Sequence, residues 1–209
     1  MKLQLALDGT LEDGLAVLRN VRSHIDLVEV GTPLLIREGV HAVRRVRDEF
    51  ADLTILADLK IMDAGKHEAD IAFNAGANIV TVLGLTHDTT LQGVIEAAQF
   101  YHQQVMVDLI QVANLVERSR EVLAMGADYV CVHTAHDRKS AGDSPLATLA
   151  HLREALPDAQ LCIAGGIDLN MIEAVVALQP AIIVVGGAIT RAYNPAEAAR
   201  QLHERIHAR

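Results

Sequence analysis

Short apolar segments rich in β-forming residues recur along the whole chain. There are eight of them, at Leu3 to Leu7, Leu27 to Val30, Leu53 to Ala57, Asn78 to Leu83, Gln104 to Leu109, Asp128 to His133, Leu161 to Ala164 and Ala181 to Val185. Between them, apolar residues lie three or four positions apart, as in Leu11, Leu15 and Leu18, which is typical of helices with one buried face. The pattern therefore predicts eight strands that alternate with helices.

The predicted strands are apolar on both faces, which indicates parallel strands covered by helices. Eight such units in 209 residues match a single-domain (β/α)8 TIM barrel over residues 1–209. An open doubly wound sheet is the alternative. It is disfavoured because the first strand runs into Leu7-Asp8-Gly9-Thr10 and not into a glycine-rich dinucleotide-binding turn.

Composition limits the partners of this chain. Its 27 acidic and 18 basic residues give a formal charge of −9, and it has no Trp, which argues against nucleic-acid binding. The uncharged stretches fall short of the ~20 apolar residues that a membrane-spanning helix needs. Cys131 and Cys162 each lie within an apolar segment, as expected of reduced core cysteines. We expect a soluble, cytoplasmic protein with no nucleic-acid or membrane partner.

Ionisable residues occupy the carboxyl ends of five predicted strands. They are Asp8, Glu29, Asp58, Lys60, Asp108 and His133. Active sites of (β/α)8 barrels lie at this end, and alternate residues of a strand share a face, so we expect these side chains to meet in the barrel mouth. For Asp58 and Lys60 taken alone, a purely structural ion pair is the alternative.

Four carboxylates beside one lysine would repel one another strongly unless a cation lies among them. Oxygen ligands suit a hard cation, so the set predicts Mg²⁺ or Mn²⁺ and not Zn²⁺. His133 is the candidate acid or base, because histidine is the side chain that titrates closest to neutral pH.

Paired glycines follow the last two predicted strands, as Gly165-Gly166 and Gly186-Gly187. Loops at these two positions often bind phosphate in barrels, since glycine lets backbone N–H groups approach the ligand. Plain turns are the alternative. The predicted substrate is a small phosphorylated molecule whose reacting end lies over the acidic residues.

The strand ends resemble those of the orotidine 5'-monophosphate decarboxylase superfamily. The residues that carry the resemblance are Asp8, Glu29, the Asp58-x-Lys60-x-x-Asp63 motif, His133 and the paired glycines. Essentially the whole chain resembles the branch that contains 3-hexulose-6-phosphate synthase and 3-keto-L-gulonate-6-phosphate decarboxylase. Orotidylate decarboxylase itself is similar only in the barrel and the motif, and its phosphate-binding arginine is replaced here by Gly187.

Three positions separate the two activities of that branch. The decarboxylases typically have Glu, Arg and Thr where this chain has Asp108, His136 and Ala164. Asp108 and Ala164 resemble the synthase, and His136 lacks the decarboxylase arginine but is typical of neither enzyme. The resemblance therefore favours the synthase reaction, which joins formaldehyde to D-ribulose 5-phosphate and gives D-arabino-hex-3-ulose 6-phosphate. The decarboxylase, another enediolate-forming lyase or isomerase, and a phosphosugar-binding protein without turnover are the alternatives.

The resemblance also implies roles for individual residues. Glu29 and Asp58 would bind Mg²⁺ or Mn²⁺, and Asp63 would cross to the active site of a partner subunit in a homodimer. The residues implied to act in catalysis are Asp8, Lys60, Asp63, Asp108 and His133. Those implied to bind the substrate or its phosphate are Ala164, Gly165, Gly166, Gly186, Gly187 and His136.

Overall fold

The computed structural model describes residues 1–135, 137 and 145–208, and within them eight parallel strands form one closed barrel. The strands are β1 (Lys2–Leu7), β2 (Leu27–Val30), β3 (Thr54–Ile61), β4 (Ile79–Leu83), β5 (Gln104–Asp108), β6 (Tyr129–His133), β7 (Leu161–Ala164) and β8 (Ile182–Val185). Neighbouring strands in the barrel are consecutive in sequence, and β8 pairs with β1 to close it. The predicted (β/α)8 fold is confirmed.

Helices cover the outside of the barrel between successive strands. They are α1 (Leu11–Val21), α2 (Thr32–Glu38), α3 (His41–Glu49), α4 (Gly65–Asn74), α5 (Asp88–Tyr101), α6 (Leu115–Met125), α7 (Pro145–Ala155), α8 (Ile172–Ala177), α9 (Gly187–Thr190) and α10 (Pro195–His207), with a 3₁₀ turn at Arg22–His24. N-cap residues define the starts of two of these helices. The Thr10 and Asn194 side chains accept hydrogen bonds from the first turns of α1 and α10, as N-caps do. In the described part of the chain, no helix is long and apolar enough to cross a membrane.

Two hydrophobic cores result from this arrangement. The larger one lies between the strands and the helices. The smaller one fills the barrel itself and consists of Ala6, Leu27, Leu56, Ile79, Met106, Tyr129, Cys131, Cys162, Ile182 and Val184. Two positions further along four of these strands come Glu29, Asp58, Thr81 and Asp108, which are all buried. The inner core is therefore an apolar plug that forms the floor beneath the polar barrel mouth.

The predicted strands agree with the observed ones to within one residue at each end, except for β3. That strand continues from Ala57 to Ile61, where the prediction ended it. Its register with β4 shifts between these two residues, since Ala57 pairs with Val80 but Ile61 pairs with Val82. The segment from 58 to 60 therefore forms a β-bulge, and the regular strand alternation predicted for Asp58 and Lys60 is wrong in this detail.

Candidate active site

The β3 bulge brings Asp58 and Lys60 together at the carboxyl end of the barrel. Lys60 has a φ of 51°, and its backbone N–H donates to Thr81 Oγ1 at 2.9 Å, which holds the bulge against β4. Its Nζ forms an ion pair with Asp58 Oδ2 and donates to Thr32 Oγ1 at 2.8 Å. Leu59, between them, packs against the outer core. The bulge therefore turns two charged side chains inward and the apolar one outward.

Asp58 is held by a dense set of hydrogen bonds. The Thr32 hydroxyl lies 2.7 Å from Asp58 Oδ2, and the Thr81 hydroxyl donates to Oδ1 at 2.9 Å. Burial raises the pKa of Asp58, but the charge of Lys60 and these hydrogen bonds outweigh it and hold the net pKa below the ordinary value. For Lys60, burial lowers the pKa, but the Asp58 charge more than offsets this effect, so the net pKa lies above the ordinary value. Both groups are therefore ionised at neutral pH.

Glu29 lies beside this pair, and within the described residues it forms no salt bridge of its own. It is 9% exposed, and its Oε2 accepts a hydrogen bond from Gln4 Nε2 at 2.5 Å. Burial and then the Asp58 charge raise its pKa well above the ordinary value, with a smaller contribution from Asp8. Gln4 Oε1 is also buried and has no hydrogen-bond partner within the described residues. These carboxylates need more positive charge than Lys60 supplies, so their oxygens fit a hard divalent cation.

Asp108 and His133 form a second pair across neighbouring strands. His133 Nδ1 lies 2.8 Å from Asp108 Oδ2, and Asp108 Oδ1 accepts a hydrogen bond from the Ile110 N–H at 2.9 Å. Asp108 is 3% exposed, whereas the His133 side chain reaches the barrel mouth. Because an ionised carboxylate only accepts, it holds the His133 proton on Nδ1 and leaves the lone pair on Nε2. This pair can serve as an oriented base.

Asp8 follows β1 directly and lies between two glycines on the rim. A Cβ on Gly31 would lie 2.1 Å from Asp8 Oδ1, and a Cβ on Gly186 would lie 3.7 Å from Oδ2. Position 31 therefore admits only glycine while Asp8 keeps this orientation. The contact places the Asp8 carboxylate next to the loops after β2 and β8, close to the Glu29 carboxylate with which it interacts.

The glycines after β7 adopt the backbone conformations that other residues avoid. Gly165 and Gly166 have φ values of 108° and 79°, and a Cβ on Gly165 would lie 2.8 Å from the Thr134 carbonyl oxygen. Ala164, half-buried at the end of β7, pairs with His133 of β6. The loop after β7 thus runs close to the candidate base and presents its backbone to the barrel mouth.

Arg191 is a site residue that the sequence reasoning missed. A Cβ on Gly187 would lie 2.2 Å from Arg191 Nη2 and 2.6 Å from Cζ, so the guanidinium lies flat against that glycine. The signal was present as an arginine four residues after the second glycine pair, one turn along α9. An exposed guanidinium beside the loop after β8 can bind the phosphate of a substrate.

Two predicted residues are not part of this constellation. The Asp63 side chain is exposed and its Oδ1 accepts from the Ala64 N–H at 2.7 Å; for the described residues, it joins no ion pair with Lys60 or any other cation. His136 lies outside the described residues. The other predicted site residues lie at the carboxyl end of the barrel.

Comparison with known proteins identifies the relatives of this chain. The family model "Orotidine 5'-phosphate decarboxylase / HUMPS family" matches residues 1–202. The 3-hexulose-6-phosphate synthase of Bacillus subtilis (strain 168) is 41% identical over 207 residues, or 99% of each chain. The crystal structure of the Salmonella typhimurium 3-hexulose-6-phosphate synthase has a TM-score of 0.96 at 41% identity, covering 99% of this chain and 98% of that one.

A decarboxylase of the same branch is more distant. The crystal structure of KGPDC from Streptococcus mutans, solved as a ligand complex, has a TM-score of 0.91 at 25% identity, covering 98% of this chain and 96% of that one. The order of these similarities agrees with the residues at positions 108 and 164, which favoured the synthase over the decarboxylase.

Proposed function

The chain belongs to the orotidine 5'-phosphate decarboxylase / HUMPS family, and we propose that it condenses formaldehyde with D-ribulose 5-phosphate to give D-arabino-hex-3-ulose 6-phosphate. One observation carries the proposal. The Asp58–Lys60 pair, the cation-deficient Glu29 and the Asp108–His133 pair all lie at the carboxyl end of the same barrel. Such a site can form an enediolate from a ketose phosphate and stabilise it until an aldehyde binds.

The first step is removal of the proton from C1 of the ketose. His133 Nε2 carries the lone pair that accepts this proton, and Asp108 stabilises the imidazolium that results. The electron pair of the broken C–H bond moves to the C2 carbonyl, which gives an enediolate. The 2.9 Å hydrogen bond from Ile110 keeps the Asp108 carboxylate oriented throughout.

Glu29 and Asp58 would hold Mg²⁺ or Mn²⁺ in this site. When bound, the cation supplies positive charge that stabilises the negative oxygens of the enediolate. Asp58 already keeps its charge through Lys60, Thr32 and Thr81, and a bound cation would favour the ionised form of Glu29.

Carbon–carbon bond formation follows. The enediolate C1 attacks the carbonyl carbon of formaldehyde, whose oxygen becomes an alkoxide. Lys60, protonated because of its acidic neighbours, stabilises this oxyanion, and the imidazolium of His133 returns the proton. Asp8, on the rim beside Gly186, would bind a substrate hydroxyl and orient the sugar.

The phosphate of the substrate would lie between the loops after β7 and β8. Gly165 and Gly166 would offer backbone N–H groups there, since their left-handed conformations leave no side chain in the way, and the first N–H groups of α9 have no acceptor within the helix. Arg191 adds a positive charge beside Gly187. Ala164 would line the same end of the cavity.

We expect Arg191→Ala to raise KM for ribulose 5-phosphate by about 10- to 100-fold with little change in kcat. The reason is the loss of a charge-assisted hydrogen bond, worth roughly 1.5–3 kcal/mol, to a group that takes no part in the chemistry. Steady-state kinetics at saturating formaldehyde would measure it. Arg120→Ala, which removes an exposed arginine from α6, is the matched control. An unchanged KM would place the phosphate elsewhere.

The proposed reaction is tested by a direct comparison of two substrates. With Mg²⁺ present, purified protein should consume formaldehyde and ribulose 5-phosphate with a kcat/KM at least about 100-fold above that for release of CO₂ from 3-keto-L-gulonate 6-phosphate. Dephosphorylated ribulose should react far more slowly. Faster decarboxylation would assign the chain to the other activity, and binding of ribulose phosphate without turnover of either substrate would indicate a non-catalytic binding protein.

A homodimer with shared active sites completes the proposal. The Asp63 side chain is exposed, and large apolar side chains of the second to fourth β/α units are also exposed to solvent. These are Ile36, Met62, Ile71, Leu85 and Phe100. Apolar exposure of this extent in consecutive units is typical of a subunit interface. The interface would carry Asp63 into the mouth of the partner's barrel.

The proposed compartment is the cytoplasm. Cys131 and Cys162 lie opposite one another on β6 and β7, both buried and both free thiols. Burial raises the pKa of each thiol, so both stay protonated and unreactive. Two adjacent cysteines that remain unpaired suit a reducing environment.

A further inference from the structure

A second cluster of ligating side chains lies at the amino-terminal end of the barrel, away from the active site. Asp26 precedes β2, and His203 and His207 are one turn apart near the end of α10. Each offers one ligand atom, and these three atoms lie within 4.8 Å of one another. We propose that this group, the α10 cluster, binds a divalent transition metal of the Zn²⁺ type.

The hydrogen bonding of His207 prepares it to bind a metal. Its Nδ1 lies 2.9 Å from the backbone carbonyl oxygen of His203, which can only accept, so the ring proton is on Nδ1. The lone pair is then on Nε2, which faces Asp26 Oδ2 at 3.6 Å. A lone pair opposite a carboxylate is unfavourable until a proton or a metal ion lies between them, so the geometry is suited to a cation. A bond from the other ring nitrogen to a carbonyl is also the usual support of a metal-binding histidine.

His203 provides an independent observation. Its Nδ1 is buried and has no hydrogen-bond partner within the described residues, although its ring lies 4.1 Å from that of His207, centroid to centroid. A buried ring nitrogen without a partner is uncommon, since such groups are nearly always satisfied. A metal ion bound by the cluster would give the His203 ring a partner and would also bind Nε2 of His207.

Asp26 is fixed in place by the barrel itself. Its Oδ2 accepts a hydrogen bond from the Leu3 N–H at 2.7 Å, and its own N–H donates to the Leu3 carbonyl oxygen at 3.0 Å. The carboxylate is therefore oriented by the start of β1 and does not need a histidine to hold it. It remains available as the third ligand.

The donor set selects the class of metal. Two imidazoles and one carboxylate suit Zn²⁺, Ni²⁺ or Cu²⁺, whereas Mg²⁺ prefers oxygen alone. Tetrahedral Zn²⁺ needs its ligand atoms about 3.3 Å apart, so side-chain rotations that move these atoms by roughly 1 Å would complete the site. The spacing His203-Glu204-x-x-His207 is one by which a helix binds zinc, but Glu204 is engaged by Arg200 at 2.5 Å. We therefore assign binding and not hydrolysis to the cluster.

A metal at this position would tie the last helix to the first two strands. Residues 26 and 203 are far apart in sequence, and the hydrogen bond from Leu3 extends the connection to β1. Since a ligand that binds only the folded state stabilises it, Zn²⁺ should raise the melting temperature in a concentration-dependent way.

The test is a calorimetric Zn²⁺ titration of the full chain in excess Mg²⁺, which occupies the oxygen site. We expect one Zn²⁺ per chain and a rise in Tm for the wild type. His203→Gln, His207→Gln and Asp26→Asn should each lose at least about tenfold in affinity, and His151→Ala, an exposed histidine on α7, should lose none. Asp26→Asn keeps the acceptor for the Leu3 N–H, so its loss would reflect the carboxylate and not a damaged fold.

Two results would overturn the proposal. One is Zn²⁺ binding that the three cluster variants retain at wild-type affinity and stoichiometry. The other is the absence of binding by correctly folded wild-type protein. Synthase turnover in Mg²⁺ reports the other end of the barrel and should be the same in His207→Gln as in the wild type, so failure here is distinct from failure of the proposed reaction.

Discussion

Glu29→Gln is expected to lower kcat/KM by about 10²- to 10³-fold, because it removes a metal ligand and with it the charge that stabilises the enediolate. Chelator treatment of the wild type should abolish activity to a similar extent, and added Mg²⁺ or Mn²⁺ should restore it. Glu29 lies on the rim above the apolar plug, so the variant should keep its fold. Metal affinity measured by titration should fall together with turnover.

The stability of metal-free Glu29→Gln should not fall as its activity does. Burial and Asp58 raise the pKa of Glu29 in the folded protein above its value in the unfolded chain. Without metal, Glu29 therefore costs stability as the pH rises from the ordinary carboxylate range towards this raised pKa. Glutamine has no such cost, so metal-free Glu29→Gln should melt no lower than metal-free wild type at neutral pH. Added Mg²⁺ should then raise the Tm of the wild type only.

Glu154→Gln, which neutralises an exposed glutamate on α7, is the matched control and should behave as wild type in both assays. Full activity in chelator-treated protein would reject the metal requirement. A Glu29→Gln protein that melts well below the metal-free wild type would show that the charge of Glu29 supports the fold and contradict the pKa argument.

Mixing two inactive variants should restore activity if the active site is shared between subunits. Lys60→Ala removes a residue of the barrel mouth, and Asp63→Asn removes the charge proposed to enter the partner's site. Asparagine keeps an oxygen for the Ala64 N–H, so the loop conformation is preserved. In a heterodimer one site has both residues intact and the other has neither. Equal amounts, fully exchanged, should recover about a quarter of the wild-type sites by two-fold symmetry.

The pair Lys60→Ala and Asp108→Asn is the control, because both residues belong to the same barrel mouth. Each heterodimer site then carries one lesion and no activity returns. If Lys60→Ala and Asp63→Asn also fail to complement after exchange is demonstrated by mass spectrometry of mixed dimers, Asp63 acts in its own subunit or not at all.

The parts of this molecule that could be predicted from the sequence are those that repeat or that depend on neighbours along the chain. Apolar runs indicated the strands, and the ends of the strands indicated Asp58, Asp108 and His133 as groups that meet in space. The Asp58–Lys60 contact was predicted from strand alternation. It is present, but it arises through a bulge fixed by Thr81 of the next strand.

Most of the features that could not be predicted depend on contacts between distant segments. Arg191 is the exception, because it follows Gly187 by only four residues, but the sequence does not show that its guanidinium lies against that glycine. Gln4 lies on β1, where an isolated polar residue gives no sign that it will donate to Glu29 on the neighbouring strand β2. The α10 cluster combines residue 26 with residues 203 and 207, and no pattern within either segment predicts that they lie together.

The apolar plug separates the chemistry of the barrel into two independent faces. Ten buried side chains, including Met106, Tyr129 and Val184, fill the barrel beneath the polar mouth. A mutation at one rim is therefore separated from the other rim by a mainly apolar layer. Substitutions at the amino-terminal face are therefore expected to have little effect on catalysis at the carboxyl face. A sensor or an anchoring site could be engineered at the amino-terminal face without changing the active site.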